Sequence, residues 1–244
     1  MRNIRKYVPY IYETLTKWLW PEVCPFCGKA SAQGICAECR RKLDTLKVRE
    51  PRCMRCGKPI RYAQQEYCHD CRNTVHSYDR GLSLWLHREP VKHSVYLFKY
   101  DNQRRFGIHY ARELAQCYTP VIRKWNPDLL IPIPLHRHRR KKRGYNQAEI
   151  VACELGRLLE IPVDSRHLIR NRDTSPQKAL GRGERARNLK CAFTLKKEFV
   201  PMARVLLIDD IYTTGNTMDA AAKVLKDGGV EKVYFLTISV GQGN

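Results

Sequence analysis

Eight of the eleven cysteines fall before residue 72 and form four Cys-x-x-Cys pairs: Cys24/Cys27, Cys36/Cys39, Cys53/Cys56 and Cys68/Cys71. Chance placement gives well under one such pair, so the spacing reflects chemistry. A Cys-x-x-Cys knuckle aims two thiolates at one point, and a second knuckle completes the tetrahedral shell of a zinc ion. Gly28 and Gly57 follow two of the knuckles, where the chain must turn back. Two ions are expected, one on Cys24, Cys27, Cys36 and Cys39, the other on Cys53, Cys56, Cys68 and Cys71. A crossed arrangement, first pair with third, satisfies the same chemistry. Four thiolates leave no open position for water or substrate, so both sites are structural. Disulfides are disfavoured in a chain without an export signal. A redox Cys-x-x-Cys would need a βαβ unit that residues 1–75 do not show. His69 is expected to be solvated, and the isolated Cys117, Cys153 and Cys191 to be small buried residues.

A second constellation is Val205-Leu-Leu-Ile-Asp-Asp-Ile-Tyr-Thr-Thr-Gly-Asn-Thr217. An apolar strand ends at Ile208, a loop covers 209–217, and a helix follows. Ligands of open α/β sheets bind at such strand ends. Thr213, Thr214, Gly215, Asn216 and Thr217 supply hydroxyls and a glycine just before a helix N-terminus, a cradle for one phosphate. Asp209 and Asp210 would repel a bare phosphate, and suit ribose hydroxyls with magnesium nearby.

The third feature is charge. Lys and Arg number 45 against 24 Asp and Glu, a formal +21, which points to polyanionic partners. The densest run, His136–Arg143, holds Arg137, Arg139, Arg140, Lys141, Lys142 and Arg143 with no acidic or apolar side chain. Read as a basic loop, it could track the phosphates of single-stranded DNA, with Tyr145 stacking on a base. A second basic stretch, 165–190, carries Arg166, Arg170, Arg172, Lys178, Arg182, Arg185, Arg187 and Lys190 and shows no strong periodicity.

These residues need a scaffold. With 43% hydrophobic residues in 244, the chain can bury a core, which excludes global disorder. Residues 81–87 alternate like a strand, 89–99 and 107–124 read as helices, and Leu129–Leu135 as a buried strand end. Residues 147–160 carry a helical apolar stripe. Residues 205–208, 218–226 and 232–239 form a strand–helix–strand unit stopped by Gly228 and Gly229. The alternation argues for an α/β fold with a mostly parallel sheet. The domain boundary is expected at the polar connector, with a zinc-ribbon module over 1–75 and the α/β domain over 80–244.

The segment 205–217 resembles the phosphoribosyl-pyrophosphate (PRPP) signature of type I phosphoribosyltransferases. The resemblance implies a sheet with helices on both faces, Asp209 and Asp210 on the ribose 2′- and 3′-hydroxyls, and Thr213–Thr217 on the 5′-phosphate. The loop after Ile131-Pro-Ile-Pro134 matches the position of the pyrophosphate loop. The wider chain, about residues 20–240, resembles the ComF family of late competence proteins. That likeness rests on the double zinc ribbon, Phe98-Lys-Tyr100, Arg143-Gly-Tyr-Asn-Gln147, Arg172-x-Thr174-x-x-Gln177-x-x-Leu180, Arg187-Asn188-Leu189, Ala192-Phe193 and the PRPP signature. It implies natural transformation, single-stranded DNA and a helicase-like ATPase as partners, and PRPP or a nucleotide as ligand, with magnesium accompanying PRPP.

Three functions are compatible with these residues: a competence protein handling imported single strands, an active phosphoribosyltransferase with an unidentified base or amine acceptor, and an adaptor between DNA transporter and helicase. No catalytic residue is assigned. The basic N-terminus continues into Pro9, Glu13 and Lys17 rather than an apolar core, and no run spans a bilayer. The expected location is therefore cytoplasmic, with peripheral contact at the inner face of the membrane through the uptake channel. Tyr7, Tyr10, Tyr12, Trp18 and Trp20 suit either a membrane interface or packing against the zinc module.

Overall fold

A computed structural model describes residues 22–171 and 192–241. The aromatic segment 7–20, Cys191 and the basic residues from Arg172 to Lys190 lie outside the described residues.

Two helices belong to the cysteine-rich region, α1 (Ala37–Leu46) and α2 (His69–Asn73). Then follow β1 (Arg80–Leu86), α3 (Val91–Tyr100), α4 (Phe106–Trp125), β2 (Leu129–Pro132), α5 (Arg137–Arg143) and α6 (Gln147–Leu159). The chain continues through β3 (Leu168–Arg170), β4 (Phe193–Leu195), β5 (Arg204–Tyr212), α7 (Asn216–Asp227) and β6 (Lys232–Val240). The main sheet has the order β1-β6-β5-β2 and every pairing in it is parallel. β3 and β4 form a separate antiparallel pair.

Alternation along the strands divides the core. Leu206 and Ile208 of β5, with Leu236 and Ile238 of β6, face α3, α4 and α6. Val205 and Leu207, with Val233 and Phe235, face Met218, Ala221, Ala222 and Leu225 of α7. Strands buried on both faces read as nearly continuous apolar runs, as these do.

The two cysteine quartets take opposite faces of the sheet. The first packs through Cys24, Phe26, Ile35, Cys39 and Leu43 into the α3–α4–α6 side, with Phe26 edge-on to Trp85 at 5.5 Å. The second packs through Cys53, Cys56, Cys68 and Cys71 into the α7 side, beside Tyr78, Tyr212 and Phe235. The chain leading into and through the Cys53–Cys56 knuckle runs along β1. The Val48 N–H donates to Leu84 O at 3.0 Å, and Gly81 N–H donates to Arg55 O at 2.8 Å. These bonds occupy edge groups of β1 that would otherwise invite pairing with another chain. Gly57 is required here: its φ is +69°, and a Cβ would lie 2.5 Å from Gly81 O. At the far edge, Val163 bridges Leu130, giving the ambiguous Ile161–Val163 stretch a place beside β2.

Three local expectations are corrected. Residues 137–143 are a helix, not a loop: the His136 ring accepts from His138 N, and left-handed Gly144 donates to Arg140 O at 2.8 Å. An all-polar helix has no apolar stripe, so periodicity could not reveal it, although Arg and Lys are good helix formers. The acid pair lies on β5 rather than in a loop, because pairing with β6 continues through Asp209 opposite Thr237 to Tyr212 opposite Val240. Cys153 is exposed and Cys117 only half-buried. Among the described residues, no helix is long and apolar enough to cross a membrane.

Candidate functional site

The carboxyl end of β5 is the centre of the site. Ile133 N–H donates to Ile208 O at 2.9 Å, drawing the Ile131–Pro134 turn beside the acids. Asp209 and Asp210 are both partly buried. Asp210 N–H donates to Asp209 Oδ1 at 2.8 Å, and Lys99 Nζ of α3 lies 2.7 Å from Asp210 Oδ1. Burial and the neighbouring Asp210 carboxylate push the Asp209 carboxyl up to about 7, against the opposing pull of that N–H, Lys99 and Arg170. His87, whose Nδ1 is 3.0 Å from Ser239 Oγ, is held below the usual imidazole range by burial and by Lys99.

Beyond Tyr212 the chain makes the loop that leads into α7. Thr213, Thr214 and Asn216 are exposed, Thr217 half-buried and Gly215 buried. Gly215 has φ +82°, and a Cβ there would lie 2.5 Å from the Tyr212 hydroxyl. Only glycine combines this left-handed backbone with so close an approach. Tyr212 is itself fixed. Its ring stacks on Phe235 with centroids 4.9 Å apart, and its hydroxyl is 2.8 Å from the Tyr78 hydroxyl. Burial raises both phenols well above their ordinary range. Tyr78 in turn stacks on His76, which lies 3.6 Å from Asp219 Oδ1 in the first turn of α7. The Lys58 ammonium, paired with Asp70 at 2.7 Å, sits 5.6 Å from the Tyr212 ring centroid. The loop thus rests on residues shared with the second cysteine quartet.

Both quartets converge in sequential pairing. Within Cys24, Cys27, Cys36 and Cys39, and within Cys53, Cys56, Cys68 and Cys71, all Sγ atoms lie within 4.8 Å of one another. The Cys27–Cys36 and Cys56–Cys68 separations are 3.7 and 3.6 Å. Tetrahedral zinc with Zn–S near 2.3 Å requires about 3.8 Å between sulfurs, so the donor sets suit two structural zinc ions. His69 is exposed and stands outside the second quartet, as expected.

The basic helix α5 leaves the same end of the sheet, directly after β2 and its turn. Arg140 pairs with Glu149 at 3.2 Å, and Arg143 Nη1 donates to Gln147 at 3.0 Å. Arg137, Lys141 and Lys142 project into solvent, with Arg139 half-buried. Tyr145 does not join them, contrary to the stacking role expected of it. It is 6% exposed, its hydroxyl donates to Phe98 O, and Arg104 covers its ring at 4.9 Å.

Sequence reasoning missed Lys99, although Phe98-Lys-Tyr100 stood out as a motif. It also missed Tyr78 and Tyr212, whose pairing spans much of the chain.

The parallel sheet, the loop at its carboxyl end and the two cysteine quartets define a phosphoribosyltransferase-type domain joined to a double zinc ribbon. The family described as "Phosphoribosyl transferase domain" matches residues 99–240, and "Double zinc ribbon domain" matches residues 15–72. Competence protein F of Haemophilus influenzae is 34% identical over 206 residues, covering 82% of this chain and 87% of that protein. DNA utilization protein YhgH of Salmonella typhimurium is 29% identical over 219 residues, covering 87% and 94%. Competence protein ComFC of Bacillus subtilis is 28% identical over 206 residues, covering 81% and 80%. The chain belongs to the competence protein F (ComF) family.

Proposed function

We propose that this protein serves natural transformation, holding incoming single-stranded DNA at the cytoplasmic side of the uptake machinery, and that its phosphoribosyltransferase-type site binds PRPP or a related ribose phosphate. The competence and DNA-utilization names of its relatives support the role. The observation that carries the reading is a shared location. The acid pair, the glycine-containing loop and the basic helix all occupy the carboxyl end of one parallel sheet, where α/β folds bind ligands.

In this reading Asp209 and Asp210 accept hydrogen bonds from ribose hydroxyls, while Thr213–Thr217 present backbone N–H groups and hydroxyls to the 5′-phosphate. Two adjacent carboxylates form a hard-oxygen donor set that suits a magnesium ion accompanying PRPP. The zinc ions would hold the ribbon and have no part in the chemistry. A helicase-like ATPase would be the protein partner, and contact with the membrane would be peripheral.

Calorimetric titration with PRPP and magnesium tests the pocket. Wild type should bind, and Asp209→Asn/Asp210→Asn should lose about 10²-fold in affinity, matching two charged hydrogen bonds of ~1.5 kcal/mol or more each. A wild type that binds neither PRPP nor a nucleotide would overturn the pocket. Monitoring pyrophosphate release in the presence of candidate acceptors separates a transferase from a binding protein.

A further inference from the structure

One face of α3 is core: Val91, Val95 and Phe98 are buried. The opposite face carries Tyr96 and Tyr100, which are 58% and 56% exposed although both are large aromatic residues. One helical turn separates them, and their ring centroids are 5.0 Å apart. Arg143 of α5 reaches across to Tyr100. Its guanidinium lies 4.7 Å from the ring centroid, and its Nη2 donates to the hydroxyl at 3.1 Å. Tyr100 thus contacts both Arg143 and Tyr96, and the aromatic pair joins the basic helix directly.

The surroundings are predominantly basic. Exposed Lys92 stands one turn before Tyr96, and exposed Lys141 and Lys142 flank Arg143. Arg104 abuts the end of α5, its Nη2 only 3.2 Å from where a Cβ on Gly144 would sit. Against these stands exposed Asp101, whereas Asp210 is already paired with Lys99 and Glu149 with Arg140.

We propose that Tyr96 and Tyr100 form a base-stacking platform that makes the α5 surface selective for single-stranded DNA. The proposal rests on the reading that α5 contacts DNA phosphates, and it supplies what that reading lacks. Cations alone attract any polyanion, double-stranded or single. A tyrosine face takes only a base that has left its stack, so it rewards single strands whatever their sequence. Clamping Tyr100 beforehand reduces the ordering that binding would otherwise require. The buried Tyr145 cannot do this; the tyrosines of α3 can.

The test compares oligo-dT with a base-free deoxyribose-phosphate strand of equal length, by fluorescence anisotropy. Wild type should bind oligo-dT more tightly. Tyr96→Ala/Tyr100→Ala should lose about tenfold or more on oligo-dT, little on the base-free strand, and keep the same salt dependence. Tyr96→Phe/Tyr100→Phe should retain binding, with zinc content and thermal unfolding confirming that each variant is folded. Unchanged oligo-dT affinity in the alanine variant, or an equal loss on both strands, would overturn the platform. Lys141→Glu/Lys142→Glu addresses the underlying reading separately: it should weaken both strands. If it leaves both unchanged, α5 is not the phosphate contact, whatever the tyrosines do.

Discussion

Lys99 Nζ lies 2.7 Å from Asp210 Oδ1, with the two side chains 16% and 13% exposed. The residue after Lys99 is Tyr100, which meets Arg143 of the basic helix. Consecutive residues of α3 thus link the acid pair to the most basic element, although the three segments are distant in sequence.

Breaking this ion pair from one side should be costly. Lys99→Met leaves the Asp210 carboxylate partly buried without its cation, a loss of about 3 kcal/mol for a well-buried pair and less with the residual exposure here. Lys99→Met/Asp210→Asn should recover much of it. Urea unfolding of the two single variants and the double variant measures the coupling, and strictly additive losses would contradict it.

Asp209 makes stability depend on pH. Its carboxyl is pushed up to about 7 in the folded protein, against an ordinary value of 3.8. The folded state therefore binds the proton more tightly than the unfolded state, and stability falls as pH rises from about 4 to about 7. Asp209→Asn should remove this slope and raise Tm at pH 8, a gain on the order of a few kcal/mol. Thermal unfolding between pH 6 and 8 tests the upper part of the window. A variant with the wild-type slope would contradict the assignment.

Gly215→Ala should damage the loop twice. The left-handed backbone costs ~1 kcal/mol or more in any residue with a Cβ, and the new atom would overlap the Tyr212 hydroxyl. PRPP affinity is expected to fall at least tenfold with zinc content unchanged. Tyr212→Phe/Gly215→Ala relieves the closest contact but leaves the backbone strain and the ring carbons 3.1–3.2 Å from the new atom, so it should recover only part of the affinity in the same calorimetric assay.

Purified protein should contain two zinc ions per chain, and Cys53→Ser should reduce that to about one. Because the second quartet shares its core with Tyr78, Tyr212 and Phe235, its loss should lower Tm for β5, β6 and α7 together. Metal analysis with calorimetric unfolding checks both points. A separate low-temperature transition that left the main one unmoved would show the ribbon to be energetically independent.

Tyr78→Phe strips the buried Tyr212 hydroxyl of its partner, at ~1–3 kcal/mol, whereas Tyr78→Phe/Tyr212→Phe leaves no orphaned group. Equilibrium unfolding should therefore find the double variant no less stable than the single one.

What the sequence determined by itself was local chemistry. Cysteine spacing specified the knuckles because two thiols three residues apart can meet without help from the fold. The order of apolar strands, acids, threonines and glycine specified a glycine-containing loop at a strand end, and the alternation of patterns specified a parallel sheet. Tertiary structure decided which distant groups meet. It chose sequential over crossed cysteine quartets and set them on opposite faces of the sheet. It drew Asp209 and Asp210 onto β5 through pairing with β6, brought Lys99 to Asp210, buried Tyr145 and left Tyr96 and Tyr100 outside. Each outcome depends on burial and contact between segments far apart in the chain, to which neither residue type nor short-range periodicity is sensitive.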